Sequence, residues 1–298
     1  MTPFPVLRRL LPALLLSTAA LRAQQNPAPS PSPVANTAAP APKEPKYVWS
    51  DVHVSQPYVA LTFDDGPHFA LTPRLLDTLK AKGVKATFFL VGTNAKEYPA
   101  IVKRIVAEGH ELGNHSWSHP NLAKMSDEEV KSQLTRTNDA IEAAVGKRPT
   151  LMRPPFGSYT KAQGKWMHDD LGFTVVLWDV DPDDWRDPGP SVVEDRVLNG
   201  WKNSTGVRPG SIVLSHDIHK GTVEAEPDII DKLQAKGYKF VTVSELLAMH
   251  EPEPSPTPRP SASPGAAGKG KPGRPPASPK PTVDPSLPKK IDGTSAAL

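Results

Sequence analysis

Between residues 47 and 250, segments with the hydrophobic pattern of strands alternate with segments with the hydrophobic pattern of helices. Seven short runs rich in β-branched and aromatic residues predict strands, and the segments between them have the apolar spacing of amphipathic helices. The predicted strands span 58–63, 85–91, 110–114, 150–153, 173–177, 211–215 and 240–243. Such alternation is typical of parallel βα units, which form a doubly wound sheet or a barrel. Because about 200 residues are few for eight units, the pattern favours a distorted or incomplete (β/α) barrel with parallel strands.

Two of the predicted helices carry clear end signals. Thr72, followed by proline, is expected to start one helix, which ends before Gly83. Ser126 and Glu129 form the pattern of a capping box, which predicts a second helix that ends before Gly146.

The amino-terminal segment differs from this core. In residues 1–23, Arg8 and Arg9 precede a short apolar run, a pattern that predicts a secretory signal peptide cleaved after Ala23 or near Ala19. The run is too short to span a bilayer, so the mature chain is predicted to carry no integral membrane segment. We therefore expect a secreted, periplasmic or cell-envelope protein.

Two further segments, 24–46 and 251–298, contain 20 of the 36 prolines. Their low apolar content predicts a disordered Pro/Ala-rich linker and a disordered, basic, Pro-rich tail around one folded domain at 47–250. The simplest interpretation of the tail is a solvated extension. The alternative is that its lysines and arginines attach the chain loosely to anionic wall polymer.

Charge and cysteine content limit the chemistry. The net charge of the chain is +3, but the flanks supply the positive excess, and residues 47–250 carry a net charge of −4. A mildly acidic core argues against a nucleic-acid partner. The absence of cysteine excludes disulfides, thiolate metal ligands and a cysteine nucleophile. Any bound metal must therefore be held by histidine or carboxylate side chains.

Polar clusters follow five of the predicted strands, at the ends where either fold gathers functional groups. The first strand runs into Asp64 and Asp65. Successive side chains point in different directions, so one carboxylate can face a metal while its neighbour faces a reacting water. The alternative is an ordinary Asp-Gly turn.

The third strand runs into His115 and His119. A spacing of four residues lets two imidazoles meet one ion from a helical turn, although such a pair is also common among structural histidines. With Asp65 the two histidines would form a set that leaves coordination positions for water and substrate, which is typical of catalytic metal sites.

The remaining clusters are weaker in isolation. The fourth strand ends in Arg153, whose guanidinium could clamp a carboxylate such as Asp64. The fifth runs into an acidic and aromatic segment at 178–185, for which a solvated loop is the alternative. The sixth ends at His216, for which the alternative is a structural histidine. Because five strand ends in chain order carry such groups, we predict that they form one site.

Five motifs in this order resemble those of the polysaccharide deacetylases of carbohydrate esterase family four, whose domain is shared with the nodulation-type chitooligosaccharide deacetylase. The resemblance covers about 55–250, and the family fold is a distorted (β/α) barrel. The motifs are T-F-D-D-G at 62–66, H-S-x-x-H at 115–119, R-P-P-F at 153–156, D-x-x-D-W at 181–185 and L-x-H at 214–216.

The resemblance implies a role for each matching residue. Asp65, His115 and His119 would bind a divalent metal, usually zinc, with cobalt or manganese as alternatives. Asp64 would be the general base, and Arg153 would orient it.

The remaining roles concern the acid and the pocket. His216 would be the general acid, held by Asp184, while Trp185 and Leu214 would shape the pocket for the acetyl group. The backbone N–H of Phe156, where many relatives have tyrosine, would help to hold the oxyanion.

These residues predict a metal-dependent hydrolase that removes N-acetyl groups from an extracellular or cell-wall polysaccharide and releases acetate. Peptidoglycan and a chitin-like N-acetylglucosamine polymer are both expected substrate classes. Two alternatives are an O-acetyl xylan esterase on the same site, because esters are easier to cleave than amides, and a non-catalytic glycan-binding protein on the same scaffold.

Overall fold

The computed structural model describes residues 46–252. The predicted signal peptide, nearly all of the predicted linker and the predicted tail beyond residue 252 lie outside the described residues. Within the described range, no helix combines the length and the apolar character needed to cross a bilayer.

Eight strands form one sheet in the described part of the chain, and every pairing between them is parallel. Their order is β1-β6-β5-β4-β3-β2-β7, and β8 also pairs with β2. The strands are β1 (Val48–Trp49), β2 (Tyr58–Asp64), β3 (Thr87–Leu90), β4 (Glu111–Asn114), β5 (Leu151–Met152), β6 (Thr174–Val176), β7 (Ile212–His216) and β8 (Lys239–Phe240).

The segment after β6 closes this sheet into a barrel. Val180 forms a parallel bridge with Val213 of β7, and the Leu214 N–H donates to the Val180 carbonyl at 2.9 Å. β7 also pairs with β2. The pairings therefore form a closed circle that runs from β2 through β3, β4, β5 and β6 to the segment at Val180, and from there through β7 back to β2. The irregular step between β6 and Val180 makes the barrel distorted, and the predicted fold class is confirmed.

Helices connect the strands and pack outside the barrel. Within 46–252 they are α1 (Leu71–Lys82), α2 (Gly92–Glu97), α3 (Pro99–Ala107), α4 (Asp127–Val145), α5 (Lys161–Asp169), α6 (Pro190–Asn199), α7 (Lys220–Ala235) and α8 (Val243–Ala248). Short 3₁₀ turns lie in the loops after three strands, at Leu122–Lys124, Pro155–Gly157 and Asp184–Arg186.

Side chains of β2 alternate between two buried environments, as the two-residue period of a strand requires. Leu61 and Phe63 pack against helix residues in the outer core. Ala60 instead packs with Phe89 in a second cluster. Asp64, at the end of the same alternation as Ala60, is only 2% exposed. The pattern therefore carries a carboxylate to one end of the barrel interior.

Local end signals predict some helix boundaries and not others. The capping box of Ser126 and Glu129 is present at the start of α4, and Gly146 ends that helix in the left-handed region. Thr72, in contrast, lies inside α1 rather than at its start. Its hydroxyl accepts a hydrogen bond from the His68 N–H at 2.7 Å, so it closes the preceding turn.

The predicted strand at 240–243 is wrong after its first residue. β8 stops at Phe240, and Thr242 is the N-cap of α8. The Thr242 N–H donates to Glu245 Oε2 at 2.8 Å, and the Glu245 N–H donates to Thr242 Oγ1 at 3.3 Å. This capping box outweighs the strand preference of the β-branched run. The short strand β1 was not predicted.

Gly113 on β4 allows an aromatic ring to fill the barrel. A Cβ at this position would lie 2.3 Å from the nearest ring atom of Phe89. Phe89 is fully buried, and the Arg153 guanidinium lies 4.3 Å from its ring centre. The layer beneath Arg153 therefore depends on a residue without a side chain at 113.

We expect Gly113→Ala to lower the free energy of unfolding by about 1–3 kcal/mol, because the Phe89 ring or the β4 backbone must move. The matched control is Gly221→Ala in α7, where the nearest atom to an added Cβ is 3.7 Å away. Alanine there is expected to leave stability unchanged or to raise it. Urea unfolding followed by circular dichroism measures both changes, and equal destabilisation of the two variants would contradict the packing argument.

Candidate active site

A cavity of about 350 Å³ lies where the carboxyl ends of the barrel strands meet. Eight of the ten predicted site residues line it. The other two, Arg153 and Asp184, are buried behind the lining and contact it through Asp64 and His216. The lining residues are Asp64, Asp65, His115, His119, Phe156, Trp178, Asp181, Asp183, Trp185, Leu214 and His216.

Two adjacent carboxylates enter this cavity from β2. Asp64 is the last residue of the strand, and Asp65 follows it with φ at 74°. The Asn94 side chain donates to the Asp65 carbonyl at 2.8 Å and fixes this turn. The left-handed backbone of Asp65 therefore brings both side chains into one site, as the sequence predicted.

Arg153 fixes the orientation of Asp64. It is fully buried, and its Nη1 donates to Asp64 Oδ1 at 2.8 Å and to Thr62 Oγ1 at 2.7 Å. Its Nε and Nη2 donate to the carbonyls of Val176 and Leu177 at 3.1 and 3.0 Å. One oxygen of Asp64 is thus held by a cation that is itself bound to three other groups.

The second oxygen of Asp64 faces the histidine pair, with Oδ2 at 3.6 Å from His115 Nε2. Burial raises the pKa of Asp64 above its ordinary value, and the Arg153 cation opposes this only in part. A carboxylate with a raised pKa is a better proton acceptor than an exposed one.

His115 is oriented by the backbone of the neighbouring strand. Its Nδ1 lies 2.7 Å from the Arg153 carbonyl, which only accepts hydrogen bonds, so Nδ1 carries the proton and Nε2 presents a lone pair. Burial lowers the pKa of His115 to about 3, which keeps the ring neutral. The preceding Asn114 anchors this loop to α4 through the Leu134 carbonyl at 2.8 Å and the Asn138 side chain at 2.7 Å.

His119 reaches the same point by a different route from the one predicted. The segment between the two histidines is not a helical turn, because both Ser116 and His119 have left-handed φ angles, 65° and 57°. The His119 N–H donates to Ser116 Oγ at 3.1 Å. This bent loop places the centres of the two imidazole rings 5.0 Å apart.

Three side chains form a set suited to a divalent cation. His115 Nε2 and His119 Nε2 lie 3.5 and 3.4 Å from Asp65 Oδ1, and one ligand atom from each residue lies within 4.8 Å of the others. Asp65 Oδ1 is buried and has no hydrogen-bond partner among the described residues. A buried carboxylate oxygen without a partner is costly unless a cation joins it, so the donor set fits a metal.

His216 and Asp184 form a second buried pair. His216 Nδ1 lies 2.8 Å from Asp184 Oδ1, and the His216 N–H donates to Asp184 Oδ2 at 2.7 Å. The Thr222 hydroxyl also donates to Asp184 Oδ2, at 2.7 Å. Burial alone would lower the pKa of His216, but the hydrogen bond and charge of Asp184 raise it to about 9. His216 is therefore protonated at neutral pH, and its Nε2 is left for the cavity.

Hydrophobic side chains complete the cavity wall. Phe156 is 67% exposed and has a left-handed φ of 60°. Its ring packs against His119, with the two ring centres 4.6 Å apart. Trp185 is also exposed, whereas Leu214 is buried. All three line the cavity.

Four residues with a part in the site were not assigned from the sequence. Trp178, Asp181 and Asp183 line the cavity, and the run of carboxylates between two tryptophans was the available signal. Thr222 had no such signal, because it lies 38 residues from the Asp184 carboxylate that it binds.

Backbone strain is concentrated around this cavity. Left-handed φ angles occur at seven non-glycine positions within 46–252, and each costs on the order of 1 kcal/mol or more. Most of them belong to the site or adjoin it, namely Asp65, Ser116, His119, Phe156 and Asp183. The backbone conformation that positions these groups therefore lowers the stability of the fold.

Known proteins are similar to this chain in sequence and in fold. A family model described as polysaccharide deacetylase matches residues 51–176. Peptidoglycan-N-acetylglucosamine deacetylase PgdA of Listeria monocytogenes is 44% identical over 188 residues, which are 63% of this chain and 38% of that protein. The crystal structure of the Bc1960 peptidoglycan N-acetylglucosamine deacetylase has 40% identity and a TM-score of 0.64, and the match covers 68% of this chain and 94% of that one. BA3943 of Bacillus anthracis, described as a family four pseudoenzyme, has 36% identity and a TM-score of 0.64, and the match covers 70% and 72% of the two chains.

The chain thus spans about two fifths of the length of the Listeria relative, whereas it covers nearly all of the Bc1960 structure. The identity, the coverage and the shared fold have one explanation: the chain belongs to the polysaccharide deacetylases of carbohydrate esterase family four.

Proposed function

We propose that this chain removes N-acetyl groups from a cell-wall or extracellular polysaccharide that contains N-acetylglucosamine, and that it releases acetate. One observation carries the proposal. A metal-type donor set, a carboxylate held by Arg153 and a protonated histidine held by Asp184 face the same cavity. Amide hydrolysis needs all three: activation of the carbonyl, removal of a proton from water and delivery of a proton to the amine.

Asp64 is the proposed general base. Arg153 holds its Oδ1, and Oδ2 is left facing the histidine pair, where it can accept a proton from an attacking water. The raised pKa of Asp64 supports this role, because burial makes protonation easier than at an exposed carboxylate.

His216 is the proposed general acid. The amine of the departing sugar must receive a proton, and the Asp184 carboxylate holds that proton on the imidazole at neutral pH. The hydrogen bond at Nδ1 directs Nε2 into the cavity. Base and acid are therefore separate groups, each oriented by its own partner.

Asp65, His115 and His119 are the proposed ligands of the metal, and two imidazoles with one carboxylate suit zinc, with cobalt or manganese as alternatives. When bound, the ion would polarise the acetyl carbonyl and make a water more acidic. The backbone N–H of Phe156 is the proposed second donor to the developing oxyanion. Trp185 and Leu214 are proposed to enclose the acetyl group.

The relatives support a cell-envelope substrate. Two of the proteins described above carry peptidoglycan N-acetylglucosamine deacetylase names. Together with the predicted signal peptide, this favours action outside the cytoplasm. A loose attachment to the wall through the basic tail at 251–298 stays a prediction.

A non-catalytic role deserves a direct test, since one structural relative is described as a pseudoenzyme. A glycan-binding protein on this fold would have no need of a complete set of metal ligands, base and acid. All of those residue types are present here around one cavity, which favours catalysis.

A product screen tests the proposed function. Mass spectrometry and an acetate assay would follow N-acetylglucosamine oligomers, peptidoglycan and acetylxylan incubated with the zinc-supplemented chain. We expect acetate from the first two classes, loss of release on chelation and recovery with zinc. Release from acetylxylan alone would favour the O-acetyl esterase, and binding without release would favour the non-catalytic alternative.

The metal assignment predicts a difference between neighbouring carboxyl and imidazole variants. His115→Ala and His119→Ala are expected to lose bound zinc, whereas Asp64→Asn keeps it, because Asp64 is paired with Arg153. Asp64→Asn should still lose turnover by a factor on the order of 10²–10⁴, as expected for a missing general base. Zinc is measured by mass spectrometry after dialysis. Loss of zinc from Asp64→Asn, with retention in the histidine variants, would reverse the assignment.

The general-acid assignment predicts a pH effect. In the parent the His216 pKa lies near 9, above its ordinary 6.5, so the stability from the His216–Asp184 pair is complete below 6.5 and is lost as pH rises through about 9. In Asp184→Asn the carboxylate no longer opposes the effect of burial on His216, so the pKa of His216 is expected to fall below its ordinary value. NMR titration of the His216 ring in the metal-free chain measures both values.

Thr222→Val is the matched control for Asp184→Asn. It removes one hydrogen bond to Asp184 and leaves the carboxylate charge in place, so the His216 pKa should fall by much less. Turnover of Asp184→Asn should decline at a lower pH than that of Thr222→Val. An unchanged His216 pKa in Asp184→Asn would contradict the proposed role of Asp184.

A further inference from the structure

A buried carboxyl group lies directly behind the candidate active site. Asp217 follows His216 at the end of β7, and its side chain is fully buried. Its Oδ1 has no hydrogen-bond partner among residues 46–252. A buried polar oxygen without a partner is costly, so a carboxyl group at position 217 lowers the stability of the fold. No step of the reaction proposed above uses it.

Asp217 points away from the cavity, towards α1. The pairing of β2 with β7 sets Asp64 beside His216, and both of these side chains line the cavity. Because successive side chains of a strand point to opposite faces, the side chain after His216 is directed outward. There the hydroxyl of Thr72, which is also fully buried, donates to Asp217 Oδ2. Asp217 therefore supports the site from outside.

The Asp217 carboxylate contacts the turn at 65–68, which begins with the proposed metal ligand Asp65. A Cβ on Gly66 would lie 2.3 Å from each oxygen of Asp217 and 2.6 Å from its Cγ, so the carboxylate lies directly against the Gly66 backbone. Thr72 Oγ1 also accepts a hydrogen bond from the His68 N–H at 2.7 Å. Asp217 thus meets the turn directly at Gly66 and, through Thr72, at His68.

Two further hydrogen bonds hold this turn to a different part of the barrel. The Val91 N–H donates to the Gly66 carbonyl at 3.1 Å, and the Asn94 side chain donates to the Asp65 carbonyl at 2.8 Å. Val91 and Asn94 follow β3, and β3 and β7 flank β2 on opposite sides. These bonds therefore hold the turn to the β3 side, whereas Asp217 braces it against the strand that carries His216.

We propose that Asp217 is a positioning residue for deacetylation, which fixes the turn that carries Asp65 relative to the strand end that carries His216. The proposal rests on the proposed function, because the base and one metal ligand would act on the acetyl group from β2 and the acid from β7. The pairing of β2 with β7 ends at Asp64 and His216, so the turn beyond it needs a separate support. A small displacement of reacting groups is enough to slow a reaction strongly.

Kinetics of acetate release test this role. The kcat and the KM would be measured with the hexamer of N-acetylglucosamine on the zinc-supplemented full chain. Asp217→Ala removes the brace and is expected to lower kcat by a factor on the order of 10–100, with little change in KM. Asp217→Asn keeps the shape and an oxygen that can accept from Thr72, so it should retain most of the turnover. An unchanged kcat in a folded Asp217→Ala would overturn the proposal. An equal loss in Asp217→Asn would also overturn it, because it would indicate a need for charge rather than for position.

The Thr72 hydroxyl gives a second test of the same contact. Thr72→Val removes the donor to Asp217 and should also lower kcat, whereas Thr72→Ser keeps the hydroxyl and is the matched control. Because both residues act through one contact, the double variant of Asp217→Ala and Thr72→Val should lose little more than Asp217→Ala alone. Losses that multiply in the double variant would contradict the brace.

Amide hydrogen exchange tests the brace without any activity. In the metal-free chain, the Val91 N–H reports on the turn, because it donates to the Gly66 carbonyl. The Glu111 N–H, which donates to the Ala86 carbonyl at 3.0 Å, is the internal reference for opening elsewhere in the barrel. Asp217→Ala is expected to speed exchange at Val91 about tenfold relative to this reference, whereas Asp217→Asn leaves the ratio unchanged. An unchanged ratio in Asp217→Ala would overturn the proposal.

The two readouts separate this inference from the proposed function. If Asp217→Ala frees the Val91 amide but the parent releases no acetate from any substrate, the brace stands and the proposed activity fails. If the parent releases acetate and Asp217→Ala changes neither kcat nor the exchange ratio, the activity stands and the brace fails.

Discussion

The buried ion pair between Arg153 and Asp64 is the interaction on which the site depends. A guanidinium and a carboxylate removed from water are costly unless their hydrogen-bonding groups are satisfied. Here Arg153 bonds Asp64, Thr62 and the two carbonyls of Val176 and Leu177 at the end of β6, and its own carbonyl accepts from His115. One residue therefore orients the proposed base and one proposed metal ligand together. Loss of either partner would leave an uncompensated charge inside the barrel.

The barrel interior is arranged around this pair. Phe89 fills the layer beneath Arg153, and Gly113 gives that ring its space. Apolar packing below thus supports a polar layer above. The second charged pair, His216 and Asp184, stands apart from Arg153 and has its own support in Thr222. Separate supports let the two groups carry opposite charges, since the Arg153 cation favours an ionised Asp64 while the Asp184 carboxylate favours a protonated His216.

Fold and activity are separate matters in this family. A structural relative with the same TM-score as the Bc1960 enzyme is described as a pseudoenzyme. The case for catalysis therefore rests on particular atoms: a buried Asp65 oxygen without a partner within 46–252, two imidazole nitrogens beside it, and a proposed base and a proposed acid that are each held by a partner. The left-handed residues around the cavity fit the same view, because a fold tolerates strain where position matters more than stability.

The sequence by itself determined the parallel strands, the capped helix α4 and the residue types of the site. Those features follow from local patterns: strand periodicity, the Ser126 capping box, and polar residues after successive strands, whose carboxyl ends lie together in any parallel fold. Only the tertiary structure decided the rest. Some of these features depend on contacts between residues distant in the chain: barrel closure through Val180, the support of Asp184 by Thr222 and the hydrogen bond of Trp201 to Asp183. Another depends on backbone turns, namely the bent loop that brings His119 to Asp65. Local propensity carries no information about such contacts, because they exist only once the strands have closed and the two ends of each contact share one space.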